Sequence, residues 1–87
     1  MALRFPNNSR SYDATRRAVR FWGHDSAMEA SFFLTEDALR QIQPGIALDQ
    51  DGALRVFDVN RLLIHTTAAK VYARGHKGSY DLVSSDF

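Results

Sequence analysis

The sequence predicts a small α+β domain. A hairpin plus terminal strands form an antiparallel sheet, and a short and a long helix pack on one face of it. Three observations predict this class. The composition is globular, with 45% hydrophobic and 11% aromatic residues among 87. Apolar and polar residues alternate along residues 18–34, as in a half-buried hairpin, whereas residues 51–74 show the helical period. Strands on both sides of two helices favour helices gathered on one sheet face.

The chain length predicts a single domain over residues 1–87, since this length supports one core. Residues 1–11 contain Pro6, two Asn and two Ser, and are predicted as an irregular N-terminal arm. A short strand is expected near Tyr12–Asp13 and a last strand around Ser79–Val83. A domain this small is marginally stable, so a partner subunit would stabilise it.

The hairpin is predicted over residues 18–34, with HDSA as its connection. A two-residue turn at Asp25-Ser26 sorts apolar from polar residues on both strands at once. The predicted pairs are Val19 with Phe32, Phe21 with Ala30 and Gly23 with Met28 on the apolar side, and Arg20 with Ser31 and Trp22 with Glu29 on the other side.

Two helices are predicted after the hairpin. Thr35 caps the short one, TEDALRQIQ, and Pro44-Gly45 ends it. The long one spans Asp51–Arg74, with Gly75 as its cap. If unbroken it would be about 36 Å long, longer than the ~26–28 Å expected across a compact domain of this size. It therefore either breaks near Asp58–Asn60 or projects and packs a second apolar strip on another chain. Its apolar stripe is formed by Leu54, Phe57, Ile64, Ala68, Val71 and Tyr72.

Five apolar residues lie where the predicted core leaves them uncovered. Trp22 and Phe33 occupy the more polar side of the hairpin, and Val59, Leu62 and Leu63 lie off the helix stripe. Either these groups meet inside the monomer or they form an interface. We interpret them as partner contacts and expect a homo-oligomer, by default a closed dimer.

Basic residues gather at the two ends of the chain. Residues 1–20 hold five Arg against one acid, and residues 59–80 hold four basic residues and no acid. Internal pairing and plain solvation are one interpretation, and an anion-binding surface is the other. The candidate anion-binding residues are Arg16, Arg17, Arg20, Arg74 and Lys77.

Nucleic-acid binding is the alternative function. Arg20 and Trp22 share the polar side of the hairpin, close to Arg16 and Arg17. The guanidinium groups would contact phosphates, and the Trp22 ring would stack on a base. Glu29 opposite Trp22 and a net charge of only +1 argue against a dedicated binding domain.

Arg61 interrupts the apolar stripe and is predicted to be structural. One interpretation is that its stem covers the core while the guanidinium reaches water. The other is an ion pair with Asp25, Glu29 or Asp58 that fixes the helix to the hairpin.

Reactive chemistry finds little support in the sequence. The chain has no cysteine, which excludes thiolate nucleophiles and cysteine zinc sites. His24, Asp25 and Ser26 are the residue types of a catalytic triad, but consecutive residues point apart. No metal-binding spacing such as HExxH joins them to His65. We expect no catalytic residue, no metal and no cofactor. An enzyme or metal site at the His24–Asp25 turn is the third hypothesis.

A resemblance to a known family runs from about Tyr12 to Phe87. It is carried by FWGHD with EASFF, by LRVFDVNRLLIHTTAAKVYARG and by SYDLVSSDF. The sequence resembles a small bacterial family known as a domain of unknown function, number fourteen-eighty-eight. The resemblance implies a single-domain, cytoplasmic α+β protein and assigns no catalytic residue, substrate or cofactor.

The predicted function is a non-enzymatic binding or interaction module that self-associates. A cytoplasmic location is expected, because the sequence contains no signal-peptide pattern and no apolar run that would span a membrane.

Overall fold

The structure, a computed structural model, describes residues 3–5, 10–26, 28–45, 47, 49–74 and 79–87. Within these ranges the strands are β1 (Arg10–Asp13), β2 (Ala18–Asp25), β3 (Met28–Thr35) and β4 (Ser79–Leu82), paired in the order β1-β2-β3-β4. Between β3 and β4 lie α1 (Glu36–Ile42), α2 (Gln50–Val59) and α3 (Arg61–Arg74), and a 3-10 turn follows over Ser84–Asp86. The predicted α+β class is confirmed.

The β2–β3 hairpin pairs two residues away from the predicted register. Phe21 lies opposite Phe32 rather than Ala30. Asp25 is still in β2, and the bend begins at Ser26, whose φ of 56° is left-handed. Because side chains alternate along a strand, a shift of two leaves each residue on its predicted side. The predicted sides are confirmed, whereas the predicted pairing and turn are wrong.

The sheet is mixed, whereas the sequence predicted an antiparallel one. β4 runs parallel to β3, with Phe32 beside Tyr80 and Leu34 beside Leu82. The helices between the two strands form a crossover that brings the chain back to the starting end of β3, and a parallel neighbour requires such a connection.

The core lies between the helices and one side of the sheet, which we call the helix-covered face. Its rings pack closely: Phe21 lies 5.2 Å from Phe32 and 5.0 Å from Phe57, between ring centroids. The fully buried large side chains are Val19, Phe21, Phe32, Leu34, Leu39, Val56, Phe57, Ile64 and Leu82.

Side-chain caps fix the starts of α1 and α2. Thr35 Oγ1 accepts a 3.2 Å hydrogen bond from the Ala38 amide, as predicted. Asp49 Oδ1 accepts a 2.7 Å hydrogen bond from the Gly52 amide. A Cβ atom at position 52 would run into the Ala47 carbonyl oxygen, so this close approach requires glycine.

The long helix predicted over Asp51–Arg74 breaks at Asn60. Asn60 has φ −110° and ψ 23°, and its Nδ2 donates to the Val56 carbonyl at 2.9 Å. The Ile64 amide still bonds to the Asn60 carbonyl at 3.0 Å, so α3 follows at once. Of the two predicted alternatives, the structure shows the break. Gly75, the predicted cap, lies outside the described residues.

The N-terminal segment contributes to the sheet. β1 begins at Arg10, inside the stretch 1–11 that was predicted as an irregular arm. Arg4 exchanges two backbone hydrogen bonds of 2.7 Å with β2. The Leu3–Phe5 segment packs on Gly23, where a Cβ atom would come within 3.0 Å of two of its side chains. Gly23 therefore makes room for this contact.

Candidate functional site

One side of α3 faces solvent and carries almost no charge. The helical period places six residues of α3 on this side, and the last residue of α2 adjoins them. We call this set the outer face: Val59, Leu62, Leu63, Thr66, Ala69, Lys70 and Ala73.

The large side chains of the outer face are strongly exposed. Leu62 is 81% exposed, Val59 71% and Leu63 48%. The Thr66 hydroxyl donates to the Leu62 carbonyl at 2.8 Å, so this polar group is satisfied within the helix. Lys70 is the single charged residue of the set. Contiguous exposed apolar side chains of this kind mark contact surfaces more often than solvated ones.

The charged residues beside the outer face pair with one another. Asp58 accepts two 2.9 Å hydrogen bonds from Arg10 of β1 and one of 2.7 Å from Arg61. The hydrogen bond from Arg10 holds the pKa of Asp58 below its usual value. The Arg61 guanidinium also lies 5.3 Å from the centroid of the Phe57 ring. Arg61 thus links α3 to α2 and, through Asp58, to β1.

The inner side of α3 places His65 among aromatic rings. Its imidazole stacks on Phe5 with centroids 4.0 Å apart, and lies 5.7 Å from Phe21 and 6.0 Å from Phe57. Burial, with a smaller contribution from Arg61, lowers the pKa of His65 to about 4. At neutral pH the imidazole is therefore uncharged and packs as an aromatic ring.

The other side of the sheet, which we call the open face, has a different character. The strand registers align Ser11, Arg20, Phe33 and Asp81 in one row across the four strands. Phe33 is only 7% exposed although it lies outside the helix-packed core. The guanidinium of Arg16, from the β1–β2 turn, covers its ring at 4.1 Å from the centroid. The monomer thus leaves little of Phe33 for a partner.

Arg20 lies between two aromatic rings of the open face. Its guanidinium carbon is 4.8 Å from the centroid of Trp22, which is half-buried, and 5.8 Å from that of Phe33. Its Nε is buried without a hydrogen-bond partner among the described residues. A groove of about 350 Å³ opens in the same face, lined by Arg16, Ala18, Phe33, Thr35 and Asp81.

Four of the five predicted anion-binding residues are described by the structure, and these four do not form one patch. Arg17 lies 3.6 Å from Glu36, and Arg74 lies 3.6 Å from Asp86. Lys77 lies outside the described residues. The remaining two candidates, Arg16 and Arg20, both lie beside the Phe33 ring on the open face.

His24 and Asp25 end strand β2 instead of forming the predicted bend. His24 Nε2 lies 3.9 Å from Glu29. Asp25 accepts a 2.8 Å hydrogen bond from the Tyr72 hydroxyl, and this bond raises the pKa of Tyr72. The Asp25 carboxylate therefore attaches α3 to the end of β2.

Metal ligands do not converge in the part of the chain that the structure describes, where no group of three or more His, Asp or Glu is placed to hold an ion. None of the helices described is long and apolar enough to cross a membrane. The candidate contact groups are the apolar side chains on the outer face of α3 and the guanidinium groups on the open face of the sheet.

Comparison with known proteins identifies the family. The model of a protein family of unknown function, DUF1488, matches residues 3–83. The chain belongs to the DUF1488 family. The predicted resemblance is thereby confirmed. A similar solved structure is that of a DUF1488 protein of unknown function from Shewanella loihica PV-4, with a TM-score of 0.80 and 17% identity, over 92% of this chain and 90% of that one. At this identity the likeness shows the fold alone. No curated protein matches the chain.

The small residues of the outer face escaped the sequence analysis. Thr66, Ala69 and Ala73 complete the surface, but small side chains contribute little to an apolar period. A usable signal was present nevertheless. α2 is clearly amphipathic, whereas α3 is not, because α3 lacks a polar side.

Proposed function

We propose that this DUF1488 protein is a small interaction module that self-associates through the outer face of α3. The observation that carries the proposal is the exposure of Leu62 and Val59 on a helix side whose single charge is Lys70. The solvent side of a surface helix is normally polar. Covering an apolar side with a partner removes it from water and stabilises the assembly.

The residue order along the outer face suits an antiparallel pairing with a second copy. Large side chains lie toward its N-terminal end and small ones toward its C-terminal end. A two-fold axis beside Thr66 would place Leu63 against the partner's Ala69 and Val59 against the partner's Ala73. Large side chains opposite small ones allow two helices to approach closely and interlock. The surface is thus complementary to itself, as a closed dimer requires.

The charges of this region also fit a second copy. In the same arrangement Lys70 lies beside the partner's Leu62, where its aliphatic stem covers the leucine and its ammonium group reaches solvent at the rim. Asp58 and Arg61 are already ion-paired next to the face, 2.7 Å apart. Covering charges that are paired costs less than covering an isolated charge.

Sedimentation equilibrium tests the proposal with one variant and one matched control. The wild-type chain, 9.8 kDa as a monomer, is expected to sediment as a dimer at micromolar concentration. Leu62→Lys removes an apolar contact and places a like charge beside the partner's Lys70, so it should weaken dimerisation by about thirtyfold or more. Met28→Lys is the matched control, because Met28 is 70% exposed at the hairpin tip and is not part of the outer face.

Two results contradict self-association through this face. One is a wild-type chain that stays monomeric at millimolar concentration. The other is a Leu62→Lys variant whose dimer is as stable as that of Met28→Lys, which would place the contact elsewhere.

A further inference from the structure

We propose a second, independent site on the open face of the sheet. Arg16 and Arg20 together bind one oxyanion, a phosphate or carboxylate group of a small molecule, above the ring of Phe33. The site lies on the side of the sheet opposite the helices and does not depend on self-association.

Two guanidinium groups share one aromatic ring in this site. The guanidinium carbon of Arg16 is 4.1 Å and that of Arg20 is 5.8 Å from the centroid of Phe33. Each guanidinium carbon lies over an aromatic ring, and a guanidinium carries five N–H donors, so donors remain for an acceptor. Two like charges beside the same ring repel each other, and an anion bound between them would offset that repulsion.

The protein itself neutralises this pair only weakly. The Arg16 contact with a carboxylate is a 3.8 Å approach to Asp13. Among the described residues no carboxylate lies within ion-pair distance of Arg20, and the buried Nε of Arg20 has no acceptor. By contrast, Arg10 is held by two 2.9 Å hydrogen bonds from its guanidinium to Asp58. A buried donor without an acceptor is costly, so a ligand oxygen would satisfy it.

The groove beside these residues limits the size of the ligand. Its volume of about 350 Å³ is at the lower end of the range for small-molecule pockets. Ala18 and Phe33 give it an apolar floor, and Thr35 and Asp81 form part of its wall. A ligand of this site therefore combines one oxyanion with a small apolar body, and a hydrogen-bond donor of the ligand would meet Asp81.

A polynucleotide fits the open face less well. A strand carrying several phosphates would meet Asp81 and Asp13 beside the two guanidinium groups, and it would be repelled there. Arg17, the third basic residue of this region, is already 3.6 Å from Glu36. Nucleic-acid binding is therefore an outcome of the test and not the proposal.

Nuclear magnetic resonance titration tests the site. Inorganic phosphate, benzoate and a short oligothymidylate are titrated separately into the full chain, while the Arg Nε–Hε signals are followed. Phosphate or benzoate should shift the signals of Arg16 and Arg20 in a saturable way. Arg20→Gln should weaken that binding about tenfold, the usual effect of losing a charge-assisted hydrogen bond. Arg17→Gln is the matched control and should leave it unchanged.

The outcomes show whether the ligand carries a phosphate or a carboxylate group, and they decide the proposal. Tighter binding of phosphate indicates a phosphorylated ligand, and tighter binding of benzoate a carboxylate. The amide spectrum of each variant shows whether it is folded. If Arg20→Gln unfolds, Arg20→Lys replaces it, because lysine keeps the charge but lacks the paired N–H donors of the guanidinium group. The proposal is overturned by binding too weak to saturate at about 10 mM, or by equal losses in Arg17→Gln and Arg20→Gln. Binding of the oligonucleotide alone, with a steep salt dependence, overturns it in favour of a nucleic-acid surface.

Discussion

α2 and α3 follow one another along the chain and contribute to the same core, yet they differ in what they present to water. α2 buries Ala53, Val56 and Phe57 and exposes charged residues such as Asp51 and Arg55. Apart from Val59 at its C-terminal end, its outer side is therefore stable in solvent, and the rest of the helix needs no further contact.

α3 presents a different surface. It buries Ile64, Ala68 and Tyr72 on its inner side, but its outer face exposes Leu62 and Leu63 in place of charges. The difference teaches that burial of one stripe explains all of α2 except Val59, and explains α3 only in part. The composition of α3 is that of a helix covered on two sides.

The largest effect is expected where both helices meet the sheet. Phe57→Ala removes a fully buried ring and should lower the free energy of unfolding by about 3–5 kcal/mol. Leu62→Ala, on the outer face, should change the monomer's unfolding free energy by no more than about 0.5 kcal/mol. Urea unfolding at a concentration where the protein is monomeric measures both. Equal losses would mean that Leu62 is packed within the monomer.

Enlarging a small residue of the outer face distinguishes a contact from a solvated surface. Ala73→Leu should weaken dimerisation by about 1–3 kcal/mol, because an extra side chain overfills the space opposite the partner's Val59. On a solvated helix the same change would be nearly neutral, since Ala and Leu are both good helix formers. Sedimentation equilibrium measures the dissociation constant, and Arg55→Leu on α2 serves as the control. An unchanged constant for Ala73→Leu contradicts the antiparallel pairing.

The inner side of α3 should make stability depend on pH. The pKa of His65 is lowered from 6.5 to about 4 in the folded state, so the unfolded chain binds more protons between these values. Stability is therefore present above pH 6.5 and is lost as the pH falls toward 4. Because the ring is only half-buried, we expect a loss of about 1–2 kcal/mol after allowing for solvent screening.

His65→Phe keeps the stacking on Phe5 and should remove this pH dependence. Thermal unfolding between pH 7 and pH 4 measures the difference. If wild type and variant lose stability in parallel, another group is responsible.

The smallest effect is expected at the ion pairs that join the helices to β1. Asp58 is hydrogen-bonded to Arg10 and Arg61, but its side chain is 40% exposed. Asp58→Asn should cost roughly 1 kcal/mol or less in unfolding free energy and leave dimerisation unchanged. The lowered pKa of Asp58 stabilises the folded state at neutral pH, and this stabilisation is lost as the pH falls below 3.8. A larger loss in urea unfolding would show that this network determines how α3 is oriented.

The sequence patterns predicted which face of the sheet a residue occupies better than they predicted which residue it pairs with. Alternation placed Phe21 inward and Trp22 outward correctly, because a register shift of two preserves the side. It could not choose between bends at Asp25 and at Ser26, since both positions carry turn-forming residues. The parallel direction of β4 was equally hidden, because four residues of alternating burial look the same in either direction.

The two candidate surfaces differ in how far the sequence predicted them. The break at Asn60 was one of the two alternatives that the helix length left open, and the large residues of the outer face followed from the helical period. The cover over Phe33 did not, because it depends on how the β1–β2 turn folds back. In that turn Arg17 has a left-handed φ of 53°, a rare conformation for arginine, and its neighbour Arg16 lies over the ring.

A cysteine cross-link tests the central claim, that the outer face of α3 packs against its own copy. The chain has no cysteine, so a single introduced cysteine is the only residue that can form a disulfide. A two-fold axis beside Thr66 brings the two copies of this residue within the 4.4–6.8 Å that a disulfide spans between Cα atoms. Under mild oxidation Thr66→Cys should form a covalent dimer rapidly, whereas Met28→Cys, which is also exposed, at the hairpin tip, should do so slowly. Cross-linking of Thr66→Cys at no more than the Met28→Cys rate would contradict the account.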